Sequence, residues 1–268
     1  MHSASPVVVA LARGGHVAKG VLYLTIGALA VQAAAGLGGE TTDSSGALRN
    51  LLSMPLGGAL TVTMAVGMFG YALWRFVEAA LDPVPPPGSH GWKGALRRVG
   101  CAISGAGHAM LGVTAVQLFL GARAPSGEHQ SKHWTARLLA QPFGAVLVGA
   151  VGAVIIGVGI WQLWRAWRCD LDRELMTNRM SNLARTCAAW TTRLGFAAHG
   201  LVFGVVGAFL LRAAVEHRAG RARGLGGALA EIGTTPLGTL LLGGVAVGLM
   251  FYGLQMFVEA RYRRIATS

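Results

Sequence analysis

The chain has 268 residues, 53% of them apolar and only 13% charged, with 40 glycines and a formal net charge of +12. A soluble domain carries about 25% charged residues, so the deficit argues against one and points to a chain that lives in lipid. Low charge and abundant Gly, without the two-residue alternation of a membrane barrel, predict an all-α polytopic membrane protein.

Six spans of roughly 20 residues follow in chain order, each long enough to cross about 30 Å of hydrocarbon. They are Gly15–Ala35, Leu56–Phe76, Val99–Leu120, Phe143–Leu163, Gly195–Leu211 and Leu237–Phe257. The first ends in Ala33-Ala34-Ala35, which imitates a leader-cleavage site, but the segment recurs later and is read as a retained helix. After the second span, Asp82-Pro83-Val84-Pro85-Pro86-Pro87-Gly88 is a stiff, helix-breaking spacer. Before the fifth, Met176, Met180, Leu183, Cys187, Trp190 and Leu194 are three or four residues apart, and Arg173, Arg179, Arg185 and Arg193 flank them. That stripe predicts a helix lying in the interface ahead of the span, with docking to a partner as the sharper alternative. Trp74, Trp161, Trp164 and Trp167 fall at the ends of returning helices, where interfacial anchoring is expected. Cys101, Cys169 and Cys187 show no paired spacing for zinc or a disulfide framework.

The basic residues are unevenly divided. The side holding the termini takes Arg13, Lys19, Arg75, Lys93, Arg97, Arg98, the arginines from Arg165 to Arg193, and Arg261, Arg263 and Arg264. That is nearly twice as many as Arg49, Arg123, Lys132, Arg137, Arg212, Arg218, Arg221 and Arg223 opposite. The positive-inside rule places both termini in the cytoplasm, although the four arginines of the last outer loop run against it. Anionic lipids at the cytoplasmic face are the expected partners of this charge, and nucleic acid is not.

A unit is written three times. Arg13, Gly15, Gly20 and Gly27 recur in register as Arg98, Gly100, Gly105 and Gly112, and again as Arg193, Gly195, Gly200 and Gly207. Each copy is followed by P-x-G, at Pro55-Leu56-Gly57, Pro142-Phe143-Gly144 and Pro236-Leu237-Gly238. The units are residues 1–82, 83–172 with the Pro-rich linker, and 173–268 with the interfacial helix, all within one integral membrane domain. Two spans per unit preserve direction, so the repeats are parallel; arrangement around an axis along the membrane normal and arrangement in a row both stay open. Gly20 and Gly27 share one helix face for close packing, whereas Gly15 lies about 140° round and is assigned to the interfacial end. The Pro of P-x-G is placed in the first turn of the returning helix.

These repeated motifs, with Gly70-Tyr71-Ala72-Leu73-Trp74-Arg75-Phe76-Val77-Glu78-Ala79 and its echo from Phe251 to Ala260, resemble the bacterial family called domain of unknown function 1206. The second unit departs, because Gly157-Val158-Gly159-Ile160-Trp161-Gln162-Leu163-Trp164-Arg165 lacks the tyrosine and has Arg165 in place of the acid. The resemblance spans nearly the whole chain and implies a six-helix protein of the bacterial plasma membrane. It implies no activity and carries over no catalytic residue.

In the repeat frame His16, His199 and His108 fall on one helix face, with Lys19 and Ser104 at the position of His199. The resulting candidate polar stripe is His16, Lys19, Ser104, His108 and His199. Three accounts are open. His16 and Lys19 are wet residues of the first one or two turns, with Lys19 snorkelling and the other histidines bonding between helices; the stripe lines a polar path; or the histidines hold haem or metal. The first account is preferred, and no cofactor or metal is predicted. Ser104 and His108 suggest a serine hydrolase only superficially, since no third residue or oxyanion arrangement accompanies them. Glu78, Arg165 and Glu259 occupy equivalent ends of the returning helices and form a candidate cytoplasmic charge cluster, with Arg75 and Arg263 as nearer local partners. The expected function is that of a structural or accessory membrane protein acting through helix–helix or partner contacts, with an intramembrane enzyme ranked third. The alternative is a small transporter or channel using the stripe.

Overall fold

The computed structural model describes residues 6–81, 91–172 and 175–263. The Pro-rich stretch from Asp82 to Gly88, Arg173, Arg264 and the side chain of Lys93 lie outside the described residues. Within them run the helices α1 (Pro6–Ala34), α2 (Ser44–Leu52), α3 (Gly57–Leu81), α4 (Trp92–Phe119), α5 (Gly127–Leu139), α6 (Gly144–Arg168), α7 (Asn182–Val215), α8 (Leu225–Gly233) and α9 (Gly238–Tyr262). Helices α1, α3, α4, α6, α7 and α9 are long and apolar enough to cross a membrane.

The short helices α2, α5 and α8 occupy the loop of each repeat and were not anticipated from sequence. Asp43 caps α2 by accepting the Ser45 and Gly46 N–H groups, and Ser126 caps α5 through the His129 N–H. The P-x-G motif joins each short helix to the span that follows. Its proline precedes the returning helix, contrary to the first-turn placement, and its glycine opens it. A Cβ at Gly57, Gly144 or Gly238 would overlap the carbonyl oxygen of Leu52, Leu138 or Gly233 respectively. The motif is therefore a corner where one helix starts hard against the end of another.

Around the bundle, α1 packs on α3, α3 on α4, α6 on α7, α7 on α9, and α9 back on α1. Each repeat thus touches both others, which arranges the three around an axis rather than in a row. Glycines make the seams between repeats. Gly20 and Gly27 meet the Gly253 carbonyl and Met250 on α9; Gly105 and Gly112 meet Phe76 and Phe69 on α3; Gly200 and Gly207 meet the Gly159 and Gly152 carbonyls on α6. In lipid such close approach supplies dispersion that the hydrophobic effect cannot.

Gly15 serves a second seam, not an interfacial end. Its rotation of about 140° from Gly20 turns it to the neighbour on the other side, where a Cβ would stand 2.5 Å from the Tyr71 Cβ. Gly195 meets the Tyr252 backbone in the same way, at 2.6 Å from its Cα. These two glycines close the hairpins of the first and third repeats. Gly100, expected to pack like the others, faces open space, and α4 and α6 form no helix–helix seam.

The reason lies in the side chains of the second repeat. In the other two, Ala18 fits against Gly67 and Ala198 against Gly248 with no room for a Cβ. Their equivalents are Ile103 and Val154, which stand 66% and 61% exposed, and Val158 replaces the tyrosine. Two branched side chains where an alanine meets a glycine hold the helices apart. The ring of six helices is therefore open at one place.

Two further expectations change. The interfacial stripe is no separate helix: α7 runs unbroken from Asn182, with Met180 buried and Leu183, Cys187, Trp190 and Leu194 exposed on its first turns. Trp74 is 2% exposed and packs beside Ala12, so it is core, whereas Trp161, Trp164 and Trp167 are outward.

Candidate functional site

Polar side chains gather in two layers on the half of the ring nearer the termini. In the outer layer α1, α3, α6 and α9 meet through charge. Arg75 donates to Glu78 at 2.6 Å and Arg263 to Glu259 at 2.7 Å, each along its own helix. Arg165 reaches Glu259 from α6 at 3.2 Å, and Arg263 spans to Glu78 at 3.4 Å. Glu78, Arg165 and Glu259 are thus brought into one network, with Arg263 as the link that sequence reasoning had taken only as a local partner. His16 joins it. Its Nδ1 donates to the Ala12 carbonyl at 2.8 Å, leaving Nε2 3.3 Å from Arg263 and 3.4 Å from Glu259. A neutral ring can accept from Arg263; a protonated one can donate to Glu259.

The second layer centres on Lys19. Because α1 begins at Pro6, His16 and Lys19 lie about 15 Å and 20 Å along the helix, not in its first turns. His16 is 1% exposed. The placement of both in the first turns is therefore corrected, and His16 is not a wet residue. The Lys19 ammonium stands 5.3 Å from the centroids of Tyr71 and Tyr252 and 6.0 Å from that of Tyr23. Among the described residues no carboxylate lies within ion-pair distance of it.

The remaining histidines frame this cage. His199 Nδ1 donates to Gln162 Oε1 at 2.6 Å, so its Nε2 accepts the Tyr23 hydroxyl at 2.8 Å, and its ring stacks on Tyr252 at 4.1 Å. His108 leans on Tyr71, with centroids 4.4 Å apart, and its Nδ1 donates to the Ser104 carbonyl at 2.7 Å. The Ser104 hydroxyl is not the acceptor, which removes the basis for a serine–histidine pair. Among the described residues no three His, Cys, Asp or Glu side chains gather as a metal site. The stripe residues consequently surround one space without converging on one point. Tyr23, Tyr71, Tyr252 and Gln162 were missed as its members. The recurrence of tyrosine in the first and third repeats was a usable signal, whereas Tyr23 and Gln162 carried none.

Beyond Lys19 the interior is apolar, with Ile26, Met68 and Leu249 at 0% exposure. The far end is a cap in which the first turns of α2, α5 and α8 meet. Asp43 accepts the Glu128 N–H at 3.3 Å, Glu128 accepts the Gly224 N–H at 2.9 Å, and Gly226 abuts Thr42 and Asp43. Two carboxylates thereby sit among three positive helix ends. Partial burial alone would push the Glu128 carboxyl up, but the Gly224 N–H, Lys132 and Arg223 outweigh it and hold the group below its ordinary 4.5.

A helical bundle of six spans made from three tandem hairpin units defines a multi-pass membrane protein of repeat architecture. The family model described as Domain of Unknown Function (DUF1206) matches three times, at residues 14–82, 99–168 and 194–263, and the chain belongs to this family. The chain is also 33% identical over 253 residues to "Uncharacterized protein YxxB" of Bacillus subtilis (strain 168), across 94% of this chain and 90% of that protein. No solved structure matches it.

Proposed function

We propose that this protein is a structural or accessory membrane protein, a fixed ring acting through contacts within the bilayer rather than a conduit across it. One observation carries the reading: the polar layer around Lys19 is bounded at both ends. Toward the termini stands the ion-pair network of Glu78, Glu259, Arg75, Arg165 and Arg263. Toward the cap stand Ile26, Met68 and Leu249, fully buried. A transport path needs a chain of water or mobile polar groups through such a layer. The proposed orientation has the termini in the cytoplasm of a bacterial plasma membrane, where exposed arginines on that face meet anionic lipids.

Proteoliposomes test the reading. Proton, sodium, potassium and chloride flux should not exceed that of empty vesicles, and a stoichiometric membrane protein should accompany the chain in native-lipid discs. Flux that disappears in His108→Ala or His199→Ala would establish the transporter instead. Orientation is read with an impermeant maleimide at the exposed Cys187. Inverted vesicles should label and right-side-out vesicles should not.

A further inference from the structure

We infer that the opening between α4 and α6 is a side entrance for a single-chain carboxylate amphiphile, a fatty acid, whose carboxylate binds the Lys19 ammonium. The inference goes beyond the accessory role and does not depend on it.

Lys19 points to the inside of the ring. Tyr71 and Tyr252, on the two helices that flank α1, bracket its ammonium equally, and Tyr23 covers it on the side of the cap. The side left over faces the second repeat. There the positions equivalent to Lys19 and Tyr71 hold Ser104 and Val158, which fill much less space. Lys19, Ser104 and His108 are only half-buried, whereas His199, Tyr71 and Tyr252, their counterparts and neighbours on the closed seams, are buried. The side of the ammonium that no tyrosine covers thus faces the one seam that does not close.

The charges specify the occupant. Glu78 and Glu259 are committed to Arg75, Arg165 and Arg263, so neither neutralises Lys19. Three tyrosine rings and a hydrogen bond with the Tyr252 side chain offset part of the cost of burying the ammonium, but carry no net negative charge. One cation without a counter-ion calls for one anion, and a carboxylate is compact enough to reach it between helices. A phosphodiester carries the same charge on a bulkier, more strongly hydrated head that would have to be dragged further into hydrocarbon. The walls of the opening suit an acyl chain: Ile103 and Met110 on α4, and Val151, Val154 and Val158 on α6, are all exposed and apolar.

The test is equilibrium binding of radiolabelled palmitate to the full chain in discs of zwitterionic lipid. One palmitate per chain is expected, with affinity weakened about tenfold or more by Lys19→Gln and retained by Lys19→Arg. Hexadecanol and acetate, which lack the charge and the chain respectively, should not compete. Should Lys19→Gln not yield a monodisperse protein, Val158→Trp decides, because it fills the opening from a 38% exposed position; it should abolish binding. Binding that is absent, indifferent to Lys19→Gln or to Val158→Trp, or displaced equally by hexadecanol overturns the inference. Preferential displacement by phosphatidylglycerol overturns the carboxylate assignment.

Discussion

Tyr71 and Tyr252 occupy the same position of two different repeats and face the same ammonium at the same distance, 5.3 Å from ring centroid to Lys19 Nζ. Each also receives the glycine of its own hairpin, Gly15 or Gly195, against its backbone. One residue type therefore closes a helix pair and walls the polar layer, so the two properties are coupled.

Bulk at these glycines should separate the hairpin helices. Gly15→Val or Gly195→Val is expected to cost about 2 kcal/mol or more by overpacking, while Gly100→Val, facing open space, is expected to be nearly neutral. Thermal unfolding of the three variants in one detergent checks the contrast.

Removing one member of the charge network should show which carboxylate anchors it. Glu259 is 2% exposed and meets Arg165, Arg263 and His16, whereas Glu78 meets Arg75 and Arg263. Glu259→Gln removes the carboxylate that meets three partners and is expected to cost about 3–5 kcal/mol, with Glu78→Gln costing less. The melting temperatures of the two variants should rank in that order.

The cap should respond to acid. The Glu128 carboxyl titrates below 4.5 in the folded chain, so its ionised form is favoured by folding. Its contribution is present above that value and is lost as pH falls through the depressed folded one. The stability difference between the wild-type chain and Glu128→Gln should be constant near neutrality and shrink on acidification below about 4.5. Melting curves from pH 7 downward measure it, and a difference that grows on acidification contradicts the sign.

Restoring the second repeat to the pattern of the others should shut the ring. The triple substitution Ile103→Ala, Val154→Gly and Val158→Tyr recreates the Ala–Gly contact and the tyrosine of the closed seams. Spin labels on α4 and α6 should report a shorter interhelical distance, with palmitate binding lost in parallel. An unchanged distance would place the cause of the opening elsewhere.

Much of this architecture was legible because membrane helices obey coarse rules. Length and hydropathy located the spans, and the in-register glycines exposed the repeats. What glycine spacing did not convey is that a helix between two neighbours needs two bare faces. Gly15 and Gly20 looked like separate functions and are in fact separate seams. The opening was also written in the chain, since Ile103, Val154 and Val158 break the repeat where Ala, Gly and Tyr keep it. The missing tyrosine at Val158 was visible, but Ile103 and Val154 mark the seam only once Ala18 is known to pack on Gly67 and Ala198 on Gly248. The start of α1 was misjudged because the apolar span was begun at Gly15, although the helix extends back to Pro6. That error put His16 and Lys19 in the first turns of the helix. Tyr23 and Gln162 were out of reach, because they become neighbours of His199 only once distant helices are assembled.

The α1–α9 seam fixes an order of events in synthesis. Because α1 precedes α9 in the chain, Gly20 and Gly27 lack their close-packed partner, and Lys19 lacks Tyr252, until α9 has been made. A chain stalled before Gly238 would hold the Lys19 ammonium with Tyr23 and Tyr71 but without Tyr252. Such a fragment should be less stable than the finished chain, in which a third tyrosine flanks the same residue.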